Sequence, residues 1–415
     1  VSDGTLALDV AGALGASNPV TLDGPTAATL AVNTSTTVQA LAGGARGAVV
    51  IADGATLFNG GVGSQFTSSF AGSISGRGSL VQQGGGSLML TGSNGFTGGT
   101  TVAAGTLVLS GGAALDDAGA LQVAAGATLQ LEASETVGPL SGAGTVALGL
   151  HTLTVDTPAS TRFSGSIGGT GGLVKQGNGS LTLAGTNTHT GGLALLGGSL
   201  VVAGDSALGA VPDADHPASL LFDGGTLQAA GSFTIAPGRS LVLQGAGGTL
   251  QVDPGQVLSL PATLADGSSA GTLAKTGAGA LALTAAADST RSGPTQVLAG
   301  TLALQRDGQL GTPAGALVLG DLRLAAQMLL LSGFIFAITR LPQWRTPFER
   351  HDLSYGVYLC HFPIIQLLIA FGLAGQGIGV FLCTTLLLAS LYALASWRWI
   401  EAPALQLATA RPPTR

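Results

Sequence analysis

Three residues near the C-terminus have the types and spacing that could do chemistry: Tyr355, Tyr358 and His361. Tyr355, Tyr358 and His361 stand three apart, so on a helix they share one face. His361 lies about two turns into an apolar run, and ionisable groups within membrane helices are functional by default. A base must reach the proton it takes, which needs a partnering acid, a second His or a nucleophile. None accompanies His361 in its run, so the simpler reading is a structural hydrogen bond. Gly267-Ser268-Ser269-Ala270-Gly271 matches a nucleophile elbow, which needs a strand before it and a helix after it. Here it falls in a Gly/Ser loop and reads as chance. Asp213, Asp215 and His216 offer three metal-type ligands between Pro212 and Pro217, which suits a solvated turn better than a metal site. Asp116-Asp117 reads the same way. No phosphate loop, HExxH, paired CxxC or glycine-rich calcium repeat occurs. No metal or cofactor is expected.

These residues lie in the second of three apolar stretches, about 322–341, 353–373 and 377–397. About 20 residues of helix cross a bilayer core, so each is expected to be a transmembrane helix. Arg340, Arg345 and Arg350 follow the first, and Arg398, Arg411 and Arg415 follow the third. Positive charge favours the cytoplasmic side. The C-terminal tail is therefore expected in the cytoplasm and the preceding chain on the opposite side of the membrane.

Composition breaks near residue 321. Residues 1–320 hold 8 basic and 17 acidic side chains, a net of −9, whereas 321–415 hold 7 Arg, no Lys and 4 acids. Both Cys, all three Trp and all three Tyr lie after the break. Two domains follow, 1–320 and 321–415. The acidic first part argues against nucleic acid, which needs basic surface to displace phosphate counterions. It argues equally against docking on an anionic membrane, and the lack of Cys excludes a disulfide framework there. No secretory signal is visible at Val1, so a leader is expected to have been removed or the chain to be a fragment.

The first part repeats itself. FAGSISGRGSLVQQGGGSLMLTGSNGFTGG from Phe70 aligns without gaps with FSGSIGGTGGLVKQGNGSLTLAGTNTHTGG from Phe163, an offset of 93 residues. Gly72 meets Gly165, Leu88 and Leu90 meet Leu181 and Leu183, and Asn94 meets Asn187. A third copy from Leu273 keeps the leucines but loses the Asn and the Gly-Gly pair, so it reads as degenerate. Segments such as SLTL alternate apolar with small polar residues, the pattern of a half-buried strand, and Gly, Asn or Asp punctuates each. One unit cannot bury its leucines alone, so units must stack into a continuous core. The expected fold is an all-β, right-handed parallel β-helix, or solenoid, followed by the three helices.

Leu173–Val202 and Phe70–Leu109 resemble the autotransporter-associated β-strand repeat, and the resemblance covers about residues 60–320. It implies the passenger region of a type V secreted protein of a Gram-negative bacterium, displayed in the periplasm or at the cell surface. A terminal outer-membrane β-barrel belongs to that pattern and is absent from this sequence. Asp352–Leu368 and Ser396–Leu407 resemble the end of the membrane acyltransferase 3 family, whose motif here comprises Ser354, Tyr355, Tyr358, His361, Pro363, Glu401 and Pro403. That likeness implies O-acyl transfer to a carbohydrate or lipid, but the family's catalytic front half is missing. β-Helix enzymes acting on polysaccharide group several acids or bases on one face, whereas the 25 charged residues of 1–320 are scattered. The expected role is therefore structural, adhesive or spacing, without catalysis. Two alternatives stay open: a truncated acyltransferase with a β-repeat appendage, and a chimeric gene joining the two parts. Expected partners are a membrane through the C-terminal helices and a host-surface or carbohydrate ligand, with no nucleic acid. Open solenoid ends would permit oligomers through unpaired edges.

Overall fold

In the computed structural model, the described residues are 1–15, 17–61, 63–211, 219–311 and 317–319. They form an all-β parallel solenoid of about 14 turns. Strands are short because the alternating runs are short. In Ala28–Val32 every second side chain is buried and the others are half-exposed. Ser180–Leu183 and Thr128–Leu131 behave likewise. The period of two in the sequence is thus the period of the strand.

The chain visits three faces in a fixed order. Face 1 is one uninterrupted 14-stranded parallel sheet from Thr36–Val38 to Leu317–Leu319. Face 2 is an eight-stranded sheet from Val20–Leu22 to Ser166–Gly168, then a four-stranded sheet from Phe233–Thr234 to Thr301–Leu304. Face 3 is a four-stranded sheet from Gly4–Leu8 to Ser73–Gly76, then a seven-stranded sheet from Glu135–Val137 to Leu264–Asp266. All the strand pairings are parallel, so like stacks on like: Leu80, Leu57 and Thr100 share one inward column, and Leu181, Leu200, Leu227 and Leu250 share another.

A single apolar core fills the coil interior, with Leu, Val, Ile and Phe from all three faces buried together. Each such Leu or Val contributes about 1.5–3 kcal/mol over its exposed state. Corners require small residues. A methyl group at Gly72 would overlap the carbonyl oxygen of Gly47, and one at Gly165 would overlap that of Gly144. The two aligned glycines therefore mark the same close approach of successive coils. Gly105, Gly198 and Gly300, also equivalent, carry φ of +66°, +58° and +71°, a region L side chains rarely adopt.

The repeats do not all occupy the same faces. In the first copy Ser79–Gln82 and Ser87–Leu90 lie on faces 1 and 2. In the second, Leu173–Gln176 and Ser180–Leu183 lie on faces 3 and 1, one third of a turn earlier in the winding. The third, Leu273–Thr276 and Ala280–Leu283, returns to faces 1 and 2. After each copy's second strand, one face lacks a strand. The first copy interrupts face 3, between Ser73–Gly76 and Glu135–Val137. The second interrupts face 2, between Ser166–Gly168 and Phe233–Thr234.

Candidate functional site: the repeat corners

The polar chemistry of the described solenoid concentrates at these interruptions and points inward. Where the strand is missing, Asn94 and Asn187 add side-chain bonds to backbone bonds such as the Gly95 N–H to Ile74 and the Thr188 N–H to Ile167. The Ile74 N–H donates to Asn94 Oδ1 at 2.7 Å, and Asn94 Nδ2 donates to the Ala114 carbonyl at 2.8 Å. In the second copy the Ile167 N–H donates to Asn187 Oδ1 at 2.9 Å, and Asn187 Nδ2 donates to the Ala207 carbonyl at 2.6 Å. Each partner lies 20 residues away, one coil below or above. An amide suits the task because it carries a donor and an acceptor on one short stem.

The third copy corrects the sequence reading. Ser289 takes the place of the lost Asn. Its Oγ accepts the Leu264 N–H at 3.0 Å and donates to the Gln309 carbonyl at 2.8 Å. The corner has kept its function with a different residue, aided by the two-residue insertion. Further up the first interruption, Glu135 Oε1 accepts the Leu115 N–H at 2.7 Å. Burial pushes the Glu135 carboxyl above its ordinary value, opposed by the N–H groups of Leu115 and Ala114.

A second polar position repeats beside these corners. Gln82, Lys175 and Lys275 are equivalent and buried. Gln82 Nε2 donates to the carbonyls of Gly84 and Gly86 at 3.0 and 3.3 Å. Lys175 Nζ donates to Gln176, Gly177 and Gly197 at 2.5, 3.0 and 3.3 Å. Lys275 Nζ donates to Thr276, Gly277 and Ala299 at 2.7, 2.8 and 3.0 Å. The ammonium groups cap carbonyls at the ends of their strands and in the turns that follow. Burial holds both amines below their ordinary value, with Asp156 opposing at Lys175. These are the only two lysines in the sequence. Their inward orientation was readable in the alternation Leu-x-Lys, since residues two apart share a face.

A third position holds Phe96, His189 and Arg291 in the three copies, all buried. Arg291 donates to Thr295 Oγ1 and to the carbonyls of Pro294, Leu310 and Gly271. Beside His189 lies a partly buried ion pair: Arg239 Nε and Nη2 donate to Asp205 Oδ1 and Oδ2 at 2.9 and 3.1 Å. Nη2 also reaches the Gly209 carbonyl at 2.8 Å. Two-pronged geometry with all acceptors supplied is what makes a buried pair tolerable.

Burial of these cations changes the outer surface. Four of the eight basic residues of 1–320, namely Lys175, Arg239, Lys275 and Arg291, are buried, against Glu135 alone among the acids of the described residues. The solvent-facing charge is thus more acidic than the sequence total. A small open notch of about 160 Å³ on face 1 is lined by Ser79, Gly98, Gly99, Thr101, Gln122 and Ser141 among others. It contains no ionisable side chain.

Among the described residues no group of His, Cys, Asp or Glu could hold a metal, and no helix is long and apolar enough to cross a membrane. Ser268 and Ser269 sit in the exposed loop between Leu264–Asp266 and Leu273–Thr276, and a strand follows. The elbow context is absent, and Ser268 Oγ accepts from Gln244 at 3.0 Å. Asp116 caps its own turn by accepting the Ala118 N–H at 3.0 Å. Asp213, Asp215 and His216 lie outside the described residues. So do the three expected spans and Ser354, Tyr355, Tyr358, His361, Pro363, Glu401 and Pro403.

Comparison with known proteins supports an autotransporter-passenger-like repeat protein. The Passenger-associated-transport-repeat family matches at residues 80–109, 173–202 and 269–304, the three copies described above. The chain is 43% identical over 149 residues to the Adhesin BmaC autotransporter of Brucella suis biovar 1 (strain 1330), an alignment covering 36% of this chain and 4% of that protein. This chain therefore spans a small part of the relative's length. No solved structure matches.

Proposed function

We propose that the chain is a stretch of a secreted autotransporter passenger, displayed outside the inner membrane, that serves adhesion or spacing and does no catalysis of its own. One observation carries this reading: the repeated polar residues Asn94, Asn187, Ser289, Gln82, Lys175 and Lys275 spend their hydrogen bonds on their own turns and on neighbouring coils. The repeat chemistry builds length. Fourteen parallel strands at about 4.8 Å spacing give face 1 a run of roughly 60 Å. Adhesin-like homology supports contact with a surface as the use of that length, with a host-surface component or carbohydrate as ligand. The apolar stretches near 322–341, 353–373 and 377–397 would anchor the C-terminal part in a membrane, tail cytoplasmic.

The test is attachment of cells that display the chain, compared with cells displaying a version lacking residues 163–202. Protease accessibility on intact cells measures display separately. Accessible protein with unchanged attachment in the presence and absence of the whole chain would exclude adhesion and leave spacing. Protein inaccessible from outside would refute the display reading altogether.

A further inference from the structure

His189 is a buried imidazole with no hydrogen-bonding partner. It is 1% exposed, and neither Nδ1 nor Nε2 finds a donor or acceptor. Gly209 packs against the ring so closely that a methyl there would come within 2.8 Å of Cε1 and 2.9 Å of Nδ1. The charged groups facing it are Arg239, and behind it Asp205, which the guanidinium grips. Nothing else charged packs on it among the described residues. Phe96 fills this position in the first copy and Arg291 in the third, where the guanidinium has the oxygen acceptors that His189 lacks. Protonation would place a second cation beside Arg239 in a region without a spare acceptor.

The location matters as much as the residue. His189 lies in the interruption of face 2, where no strand pairs between Ser166–Gly168 and Phe233–Thr234. Coils there are joined without an assigned strand, by the Asn187 and Arg239–Asp205 side chains and by backbone bonds from the Thr188 N–H to Ile167, the Thr190 N–H to Gly169 and the Ala210 N–H to the His189 carbonyl. A region with fewer ladder bonds opens before its neighbours.

We infer that the coil bearing His189 is an acid-sensitive joint, which opens locally when its imidazole takes a proton while the coils on either side stay stacked. Burial, with Arg239 adding to it, lowers the His189 pKa from 6.5 to about 4. The closed form therefore binds fewer protons than the open form between those values, and acidification favours opening. The opening equilibrium rises up to tenfold per pH unit across this window, roughly 300-fold in all.

Hydrogen exchange of the full chain, read by peptide from pH 7 to pH 3.5 and corrected for intrinsic rates, tests this. Peptides spanning 187–209 should open progressively more below pH 6.5, while those spanning 94–116, with Phe96, stay level. His189→Phe should remove the rise, and Asp205→Asn should retain it. Should His189→Phe fail to fold, His189→Leu and the Phe96 coil of the same molecule provide the comparison. A level response in the unmodified chain overturns the proposal. So does an equal rise in the Phe96 coil, or a rise kept in His189→Phe and lost in Asp205→Asn.

Discussion

Replacing Asn187 by Leu isolates what the corner amide contributes. Leucine keeps most of the side-chain bulk, so the corner stays filled. It removes the acceptor of the Ile167 N–H at 2.9 Å and the donor to the Ala207 carbonyl at 2.6 Å. Both backbone groups lie in the interior, and leaving one buried polar group unmet costs about 1–3 kcal/mol. Two such groups give about 2–6 kcal/mol for Asn187→Leu. In a stacked array the loss falls on the coils that share the interface. Exchange of the Ile167 amide should therefore speed at least about 30-fold, since 1.4 kcal/mol is tenfold, while the Asn94 corner keeps its rate. Asn187→Ser should recover part of the loss, because Ser289 makes the same two bonds in the third copy. An Ile167 amide that exchanges within about twofold of the unsubstituted chain in Asn187→Leu would refute the claim that side-chain bonds help join the coils where the strand is missing.

Three further outcomes are expected. An amine-acylating reagent should modify neither Lys175 nor Lys275 in the folded chain and both in denaturant, because both are 0% exposed; mass spectrometry showing either acylated at the rate of a free lysine would contradict the burial. Replacing both lysines by Gln, the residue at position 82, should remove a rise in stability with pH in the alkaline window ending at 10.5. The sign follows from amines held low by burial: the unfolded chain binds the extra protons, so stability is fully present above 10.5 and lost as pH falls through the folded-state value. Chemical denaturation at pH 8 to 11, compared with the unsubstituted chain, checks it. Glu135→Gln should stabilise the chain at pH 7 by up to about 1 kcal/mol, as it keeps an acceptor for Leu115 and discharges a buried carboxylate. A raised carboxyl value means that stability present below 4.5 is lost as pH rises, so the gain should vanish in acid.

The strand pattern was legible because alternation and stacking impose the same demand. A leucine at every second position both defines a strand face and supplies the column that the next coil continues. The 93-residue offset correctly located the repeats, yet it gave no warning that they change face. That outcome depends on coil length, which varies along face 1 from 19 residues, Ser180 to Ser199, to 27 residues, Ser199 to Thr226. Only strand pairing reveals which face a segment reaches. Ser289 was missed because residue identity was matched, whereas the corner needs a donor and an acceptor and accepts any side chain that has both. Lys175 and Lys275 were given no role from the sequence; the inward phase of their strands buries them, and nearby carbonyls make that phase tolerable.

Faces 2 and 3 are broken in different coils, whereas face 1 runs unbroken beside both gaps. Under a pull along the axis, face 1 acts as a backbone that shares load past each weak section. Because the first weak section opens on face 3 and the second on face 2, they yield toward different sides. A sideways force that flexes one leaves the other stiff, so no single direction of shear can fold the array flat.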